Sequence, residues 1–270
     1  MRASPEGITR EHARVSKVTT KAKVRATKVD LHCCMSIRIH GKPLTVLCSL
    51  GLEFITVKVG VKELDGRTFG IHKDLVCAKS PFFRAAFNGQ WKESKEGAVE
   101  LPEDDPDAFE LWVNWIYKHT LPCSDDQPGV PRYPKLMIQL VTMTKAYTLG
   151  DKIGDTDFAD AVMDAITHTV TEDEGMLDRI IETMEFVYKI TPESSPLREF
   201  LVELYVFRGF PAWFTYDKSG LSPEFVLDTL IKVSKPHKNG RRITASLSVK
   251  NCDYHHHKKV GRPCYTTLAA

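Results

Sequence analysis

The densest set of chemically capable side chains lies near the C-terminus, at Cys252, His255, His256, His257 and Cys264. Cys252 and His255 stand at a Cys-x2-His interval, which is within the range of zinc ligands, and thiolate with imidazole is a donor pair that zinc takes. His257 and Cys264 stand further apart, at a looser interval than the usual pairing. Two readings follow. Cys252, His255, His257 and Cys264 hold a zinc ion, or the segment is an exposed basic tail; the second is the expectation, and with it no cofactor. Gly261-Arg262-Pro263 in the same tail looks like the core of a minor-groove hook, but three residues carry little weight.

A second candidate is His72, followed by Lys73 and Asp74. Acid–base chemistry would need a nucleophile or a partner base at workable spacing, and none stands nearby. The histidine sits at a strand end in an apolar context, so a hydrogen-bonded structural role is expected. The acidic run Glu103, Asp104, Asp105 and Asp107 would suit a cation. Aspartates ahead of a helix also act as caps and dipole partners, and Pro106 favours that role. The glycines are dispersed, so no phosphate-cradling loop is expected. No catalytic constellation is found, and a non-enzymatic protein is expected.

The elements that must position these residues are legible from periodicity. Phe54 to Gly60 alternates, with Val57 and Val59 facing a core. Asp65-Gly66 marks a turn, so strands over 54–60 and 67–72 are expected as a hairpin. Asp74 to Ala86 is expected as a helix or two short ones, broken at Ser80-Pro81, with Phe82, Phe83 and Phe87 supplying bulk. Val99 and Leu101 mark a short strand. Asp105-Pro106 opens a helix bearing Phe109, Trp112 or Val113, and Ile116. Pro122 to Pro134 is a loop. Helical stripes follow over Leu136–Leu149 (capped by Gly150), Asp155–Val170, 176–190 (with Leu177, Ile180, Ile181, Met184, Val187 and Tyr188) and Leu197–Phe207. A last helix is capped by Ser222, with Val226, Leu227, Leu230 and Ile231 expected in the core. Val29 to His40 also alternates, and such a strand adds to its own sheet, crosses to a second subunit, or is an accident of composition.

Composition bounds the rest. The chain has 270 residues with 42% hydrophobic and 27% charged content, which fits a globular protein. A net charge of +2 hides an asymmetry. Residues 1–42 carry ten Lys/Arg against three Asp/Glu, residues 232–270 carry nine against one, and the body between them is acidic. Lys17, Lys21, Lys23, Arg25 and Lys28 form a basic run, expected as a solvated tail, with a nuclear-import signal as the alternative. Seven scattered cysteines suggest no disulfide framework. Neither a membrane span nor a secretory signal is expected, which places the protein inside the cell, in cytoplasm or nucleus.

Phe69-Gly70-Ile71-His72-Lys73-Asp74-Leu75 with Ser80-Pro81-Phe82-Phe83 closely resembles the signature of BTB/POZ domains. Val99 to Pro106, Phe109 and Ile116-Tyr117 add to the resemblance. Tyr147 to Lys152, Tyr205 to Arg208 and Cys252 to His255 are similar to fungal BTB proteins. The resemblance implies an α+β fold, a small sheet capped by helices, with an α-helical C-terminal extension. Expected boundaries are 1–50 for a basic extension with a strand at 29–40, 51–150 for the BTB/POZ domain, 151–233 for the helical extension and 234–270 for the tail. His72, Lys73, Leu75, Ser80, Phe82 and Phe83 then become fold signatures. The family implies protein binding, commonly as a homodimer, and many members are adaptors for cullin-based ubiquitin ligases. Cullin-binding members carry an apolar residue, any residue, then glutamate after the second helix; Trp91-Lys92-Glu93 matches. The surface around Phe87, Trp91 and Glu93 is therefore the expected partner site. Dimeric members bear an aspartate before the first core strand, paired with a basic residue near the signature histidine. Glu53 and Lys73 are the nearest counterparts here, a departure from that pattern. The alternative function is a nuclear regulator contacting nucleic acid through its basic ends.

Overall fold

The computed structural model describes residues 36–39, 42–45, 51–61, 65–121, 132–172, 183–208, 221–234 and 252–268. Residues 1–47 and 48–270 form separate units. In the first, strands β1 (Ser36–Ile39) and β2 (Lys42–Thr45) pair antiparallel, Ser36 opposite Thr45. The strand expected over 29–40 is thus seen from Ser36, and its partner is the next segment of its own chain. Residues 29–35 and the basic run Lys17–Lys28 lie outside the described residues.

The second unit is built on a three-stranded sheet in the order β4-β3-β5. Strand β3 (Phe54–Val59) pairs antiparallel with β4 (Arg67–His72) and parallel with β5 (Ala98–Leu101). Alternation decides which face of β3 is inward: Ile55, Val57 and Val59 are buried, while Phe54 and Lys58 face out. Helices α1 (Lys73–Lys79) and α2 (Pro81–Phe87) break where expected. The Ser80 hydroxyl accepts the Phe83 amide at 3.2 Å and donates to the Ile153 carbonyl at 2.6 Å. One buried side chain therefore caps α2 and ties it to a helix more than seventy residues later.

Helix α3 (Lys92–Glu96) leads through Gly97 into β5, and α4 (Pro106–Lys118) follows. Asp105 caps α4, accepting the amides of Asp107 and Ala108, both at 3.0 Å. Phe109, Trp112 and Ile116 of α4 are buried, as their spacing requires, and Val113 is only partly so. Helices α5 (Arg132–Ile153) and α6 (Thr156–Glu172) form a hairpin. Gly150, expected to end α5, lies inside it. A Cβ there would stand 3.0 Å from the Ala159 Cβ, so the residue is small because α5 and α6 meet at that point. The actual stop is Gly154, with a φ of +75°, followed by Asp155 as the cap of α6. The boundary expected at 150 falls inside α5.

Residues 183–190 form α7, burying Met184, Val187 and Tyr188; Leu177, Ile180 and Ile181 lie outside the described residues. Helices α8 (Pro196–Arg208) and α9 (Pro223–Ser234) pack together. Ser222 caps α9, but the expected core stripe is wrong. Phe225 and Thr229 are the buried residues, while Val226, Leu227, Leu230 and Ile231 are exposed. Phe225 sets the phase of the helix, because its ring wedges edge-on between Tyr188 (5.6 Å) and Tyr205 (5.2 Å). Two short turns, α10 (His257–Val260) and α11 (Tyr265–Leu268), end the described chain.

Asp104, Asp105 and Asp107 of the acidic run hold these parts together. Lys145 of α5 reaches Asp105 at 2.6 Å, Lys152 reaches Asp104 at 2.6 Å, and Arg67 pairs with Asp107. Burial opposes ionisation of Asp105, but the Lys145 ammonium and the capped amides outweigh it, so its carboxyl is held below the ordinary range. A depressed folded-state pKa gives stability that is complete above the unfolded value, about 3.9, and lost as pH falls through the folded value. Asp105→Asn keeps a cap but removes the charge. Urea midpoints measured across that acid window should fall less steeply for D105N than for the parent chain. Parallel acid limbs would contradict the assignment.

Candidate functional site

The expected partner surface is built by the exit from α2. Phe87, the last residue of α2, is buried and stacks parallel on Phe83 with ring centroids 6.3 Å apart. This corrects the expectation that Phe87 touches a partner. Its ring is committed to the core, and its role is to fix where the chain leaves the helix. Asn88, Gly89 and Gln90 then cross the surface, and Trp91 stands 67% exposed just ahead of α3.

Two local features shape the segment that carries this tryptophan. A Cβ at residue 89 would lie 2.5 Å from Trp91 Cδ1 and 2.9 Å from Nε1, so glycine is what lets the indole lie across the loop. The Ser94 hydroxyl donates to the Phe87 carbonyl at 3.0 Å, pinning α3 to the end of α2. Glu93 is half-buried in the first turn of α3. The sequence pattern thus places an exposed aromatic at the N-cap and a carboxylate in the first turn of one short helix. The glycine's part was not foreseen, because its requirement arises from contact and not from backbone conformation.

The signature residues are structural. His72 lies against Phe54 (4.1 Å) and Tyr117 (5.8 Å), and its Nδ1 is 2.6 Å from the Tyr117 hydroxyl, which also accepts the His72 amide. Lys73 pairs with Glu53 at 3.0 Å within the same chain, bringing together the two residues singled out by the dimer pattern. Leu75 and Phe82 pack at the edge of the core and Phe83 at its centre. A cleft of about 600 Å3 is lined by Asp104, Asp105, Lys145 and Lys152, whose charges are already paired with one another.

The described part of the tail, residues 252–268, is exposed and basic over 258–263 but buried at most of its Cys/His residues. His255 and His257 are 4% and 5% exposed and Cys264 is 8% exposed, so residues 252–268 fold against the helices. Asp160, itself buried, accepts the amides of His256 (2.6 Å) and His257 (3.2 Å). His256 turns away to Asp151 (3.1 Å) and Tyr147 (3.0 Å), while His255 and His257 face Cys252 and Cys264. Tyr254 donates to Glu203 at 2.7 Å and Tyr265 donates to Asp164 at 2.5 Å. The sequence missed this burial because the aspartates that receive the histidines lie about a hundred residues earlier. Burial and the neighbouring Cys264 push the Cys252 thiol up to about 11. Burial also opposes ionisation of Cys264, but hydrogen bonds from Thr266, Cys252 and His255 outweigh it and hold that thiol low.

Comparison with known proteins agrees with this architecture. The family model described as the BTB/POZ domain matches residues 48–131. Kelch-like protein 21 of Homo sapiens is 34% identical over 80 residues, covering 30% of this chain and 13% of that protein. TD and POZ domain-containing protein 3 of Mus musculus is 33% identical over 76 residues, covering 25% and 20%. Kelch repeat and BTB domain-containing protein 7 of Homo sapiens is 29% identical over 72 residues, covering 27% and 10%. The chain therefore matches only a fifth or less of the length of each of these relatives. No described helix is long and apolar enough to cross a membrane.

The geometry separates scaffold from surface. Phe87→Ala should lower unfolding free energy by about 3–5 kcal/mol, the range for truncating a buried aromatic. Trp91→Ala should change it by less than about 0.5 kcal/mol. Urea titrations followed by circular dichroism check both; a large loss at Trp91 would show that the indole is a packing residue.

Proposed function

Residues 48–131 form a BTB/POZ domain, and from that premise we propose that the chain is an interaction adaptor that offers Trp91 and Glu93 to a helical partner of the cullin kind. BTB/POZ family members are interaction modules, not enzymes. The observation that carries the reading is the placement of Trp91. A tryptophan 67% exposed costs apolar surface in water, and here the loop is shaped to present it and not to hide it. Exposed aromatics of this kind are the usual anchors of protein interfaces, each filling a pocket on the partner. Glu93, in the first turn of the helix that Trp91 caps, supplies a carboxylate for a charge-assisted bond to a basic group at the pocket rim.

The finer parts of the proposal rest on separate grounds. A homodimer is supported by the resemblance and by the exposed apolar residues Leu52 and Phe54 beside the Glu53–Lys73 pair. The stretches Tyr147–Lys152 and Cys252–His255 support the fungal subgroup. An intracellular setting is supported by the free cysteines Cys77, Cys252 and Cys264.

The test is a pull-down from cell extract with the full chain, followed by probing for cullin. The parent chain should retain it, and the double variant Trp91→Ala/Glu93→Lys should retain at least tenfold less while melting at the same temperature. Equal retention by a folded double variant would overturn the proposed surface.

A further inference from the structure

We propose that Cys252, His255, His257 and Cys264 bind one zinc ion in a closed tetrahedral site that fixes the shape of the C-terminal segment where it packs on helix α6. The ligand atoms of these four residues all lie within 4.8 Å of one another, and three of the four residues are buried. With Zn–S near 2.3 Å and Zn–N near 2.0–2.1 Å, a tetrahedral site has ligand-to-ligand edges of about 3.3–3.8 Å. The one edge between His255 Nδ1 and Cys264 Sγ is 3.7 Å, already at that value. A small inward movement of the remaining donors completes the shell.

The surroundings are those of a ligand set. His255 has its Nε2 on the Asp164 carboxylate at 2.8 Å. With the ion bound, that bond would keep the proton on Nε2 and free the Nδ1 lone pair for the metal, which is how an outer carboxylate orients a metal-bound histidine. Thr266 donates its hydroxyl to Cys264 Sγ at 3.2 Å, a bond suited to a thiolate. His257 Nδ1 is buried with no hydrogen-bond partner. That nitrogen stands 3.7 Å from the buried Asp160 carboxylate, so a small shift lets Asp160 orient the ring as Asp164 orients His255. Cys252 has a φ of +77°, a strained conformation for a residue with a Cβ, and its carbonyl accepts the His255 amide at 3.3 Å. The turn so formed brings both side chains to the same side.

Charge favours zinc as well. Two thiolates neutralise the divalent ion, so the buried complex carries no net charge, and the two protons displaced from the cysteines go to solvent. Soft sulfur with imidazole in a tetrahedral arrangement excludes calcium and magnesium, which take oxygen donors. All four positions come from protein, so the site is structural and leaves no open position for a substrate. Its effect is mechanical. The loop from Cys252 to Cys264 touches α6 through Asp160 and Asp164, α5 through Tyr147 and Asp151, and α8 through Glu203. One ion thereby locks the shape of a segment that hydrogen bonds, ion pairs and the ring contacts of Tyr254 with Phe200 and Tyr265 with Trp115 also hold.

The experiment is metal analysis of the reduced full chain purified without a histidine tag, with reconstitution of the metal-stripped chain by cobalt as a spectroscopic stand-in. One zinc per chain is expected, together with the visible bands of tetrahedral cobalt and thiolate-to-cobalt charge transfer. Cys264→Ser should remove the charge-transfer intensity of one thiolate. Asp164→Asn should weaken zinc affinity by about 10–100-fold. His256→Ala, outside the ligand set, should leave zinc stoichiometry intact. If a cysteine variant fails to fold, the parent chain's cobalt spectrum still decides. Zinc far below one per chain with no thiolate–cobalt band, or recovery of Cys252 and Cys264 as a disulfide, would overturn the site.

Discussion

Trp112 is the side chain on which the rest of the second unit depends. Its indole is fully buried, and a buried N–H must find an acceptor. It donates to Asp155 at 2.9 Å, the residue that also caps α6. Its ring stacks on Phe83 at 5.3 Å, nearly parallel. One tryptophan on α4 thus joins α2, with the sheet beneath it, to the start of the helical extension. Burial pushes the Asp155 carboxyl up, and the Trp112 and Phe158 N–H groups work against that shift. The bond to Ser80 from the end of α5 runs beside this contact and closes the same joint.

The proposed partner surface follows from that joint by a short series of contacts. Phe83 is held by Trp112, Phe87 stacks on Phe83, and the chain leaving Phe87 must pass over the surface at Gly89. Trp91 stands exposed at the start of α3, which Ser94 holds to the Phe87 carbonyl. A rigid core thereby positions an aromatic group that takes no part in the core.

Much of the fold was legible because it rests on local rules. The strand alternation around Val57, the Asp-Gly turn and the Ser80-Pro81 and Asp105-Pro106 caps each act within a few residues, and each was found where periodicity placed it. The misreadings came from distant partners. Gly150 is small because Ala159 lies against it, and no local pattern separates that need from a helix stop. The stripe on α9 looked buried because four aliphatic residues share a face, yet Tyr188 and Tyr205 select Phe225 instead. The same holds at the candidate sites. The Trp-Lys-Glu pattern was visible, but not that Phe87 is scaffold. The four Cys/His residues were visible in the tail, but their burial depends on Asp160 and Asp164 of α6.

The central claim is that Trp91 is where a partner docks, and photocrosslinking from that position tests it most directly. A benzoylphenylalanine placed at residue 91, and a control at exposed Thr68 on strand β4, would be irradiated in cells and the adducts identified by mass spectrometry. The account predicts a discrete cullin adduct from residue 91 and none from residue 68. Cullin adducts from residue 68 but not from 91, or none from 91 while the protein co-purifies with cullin, would contradict it.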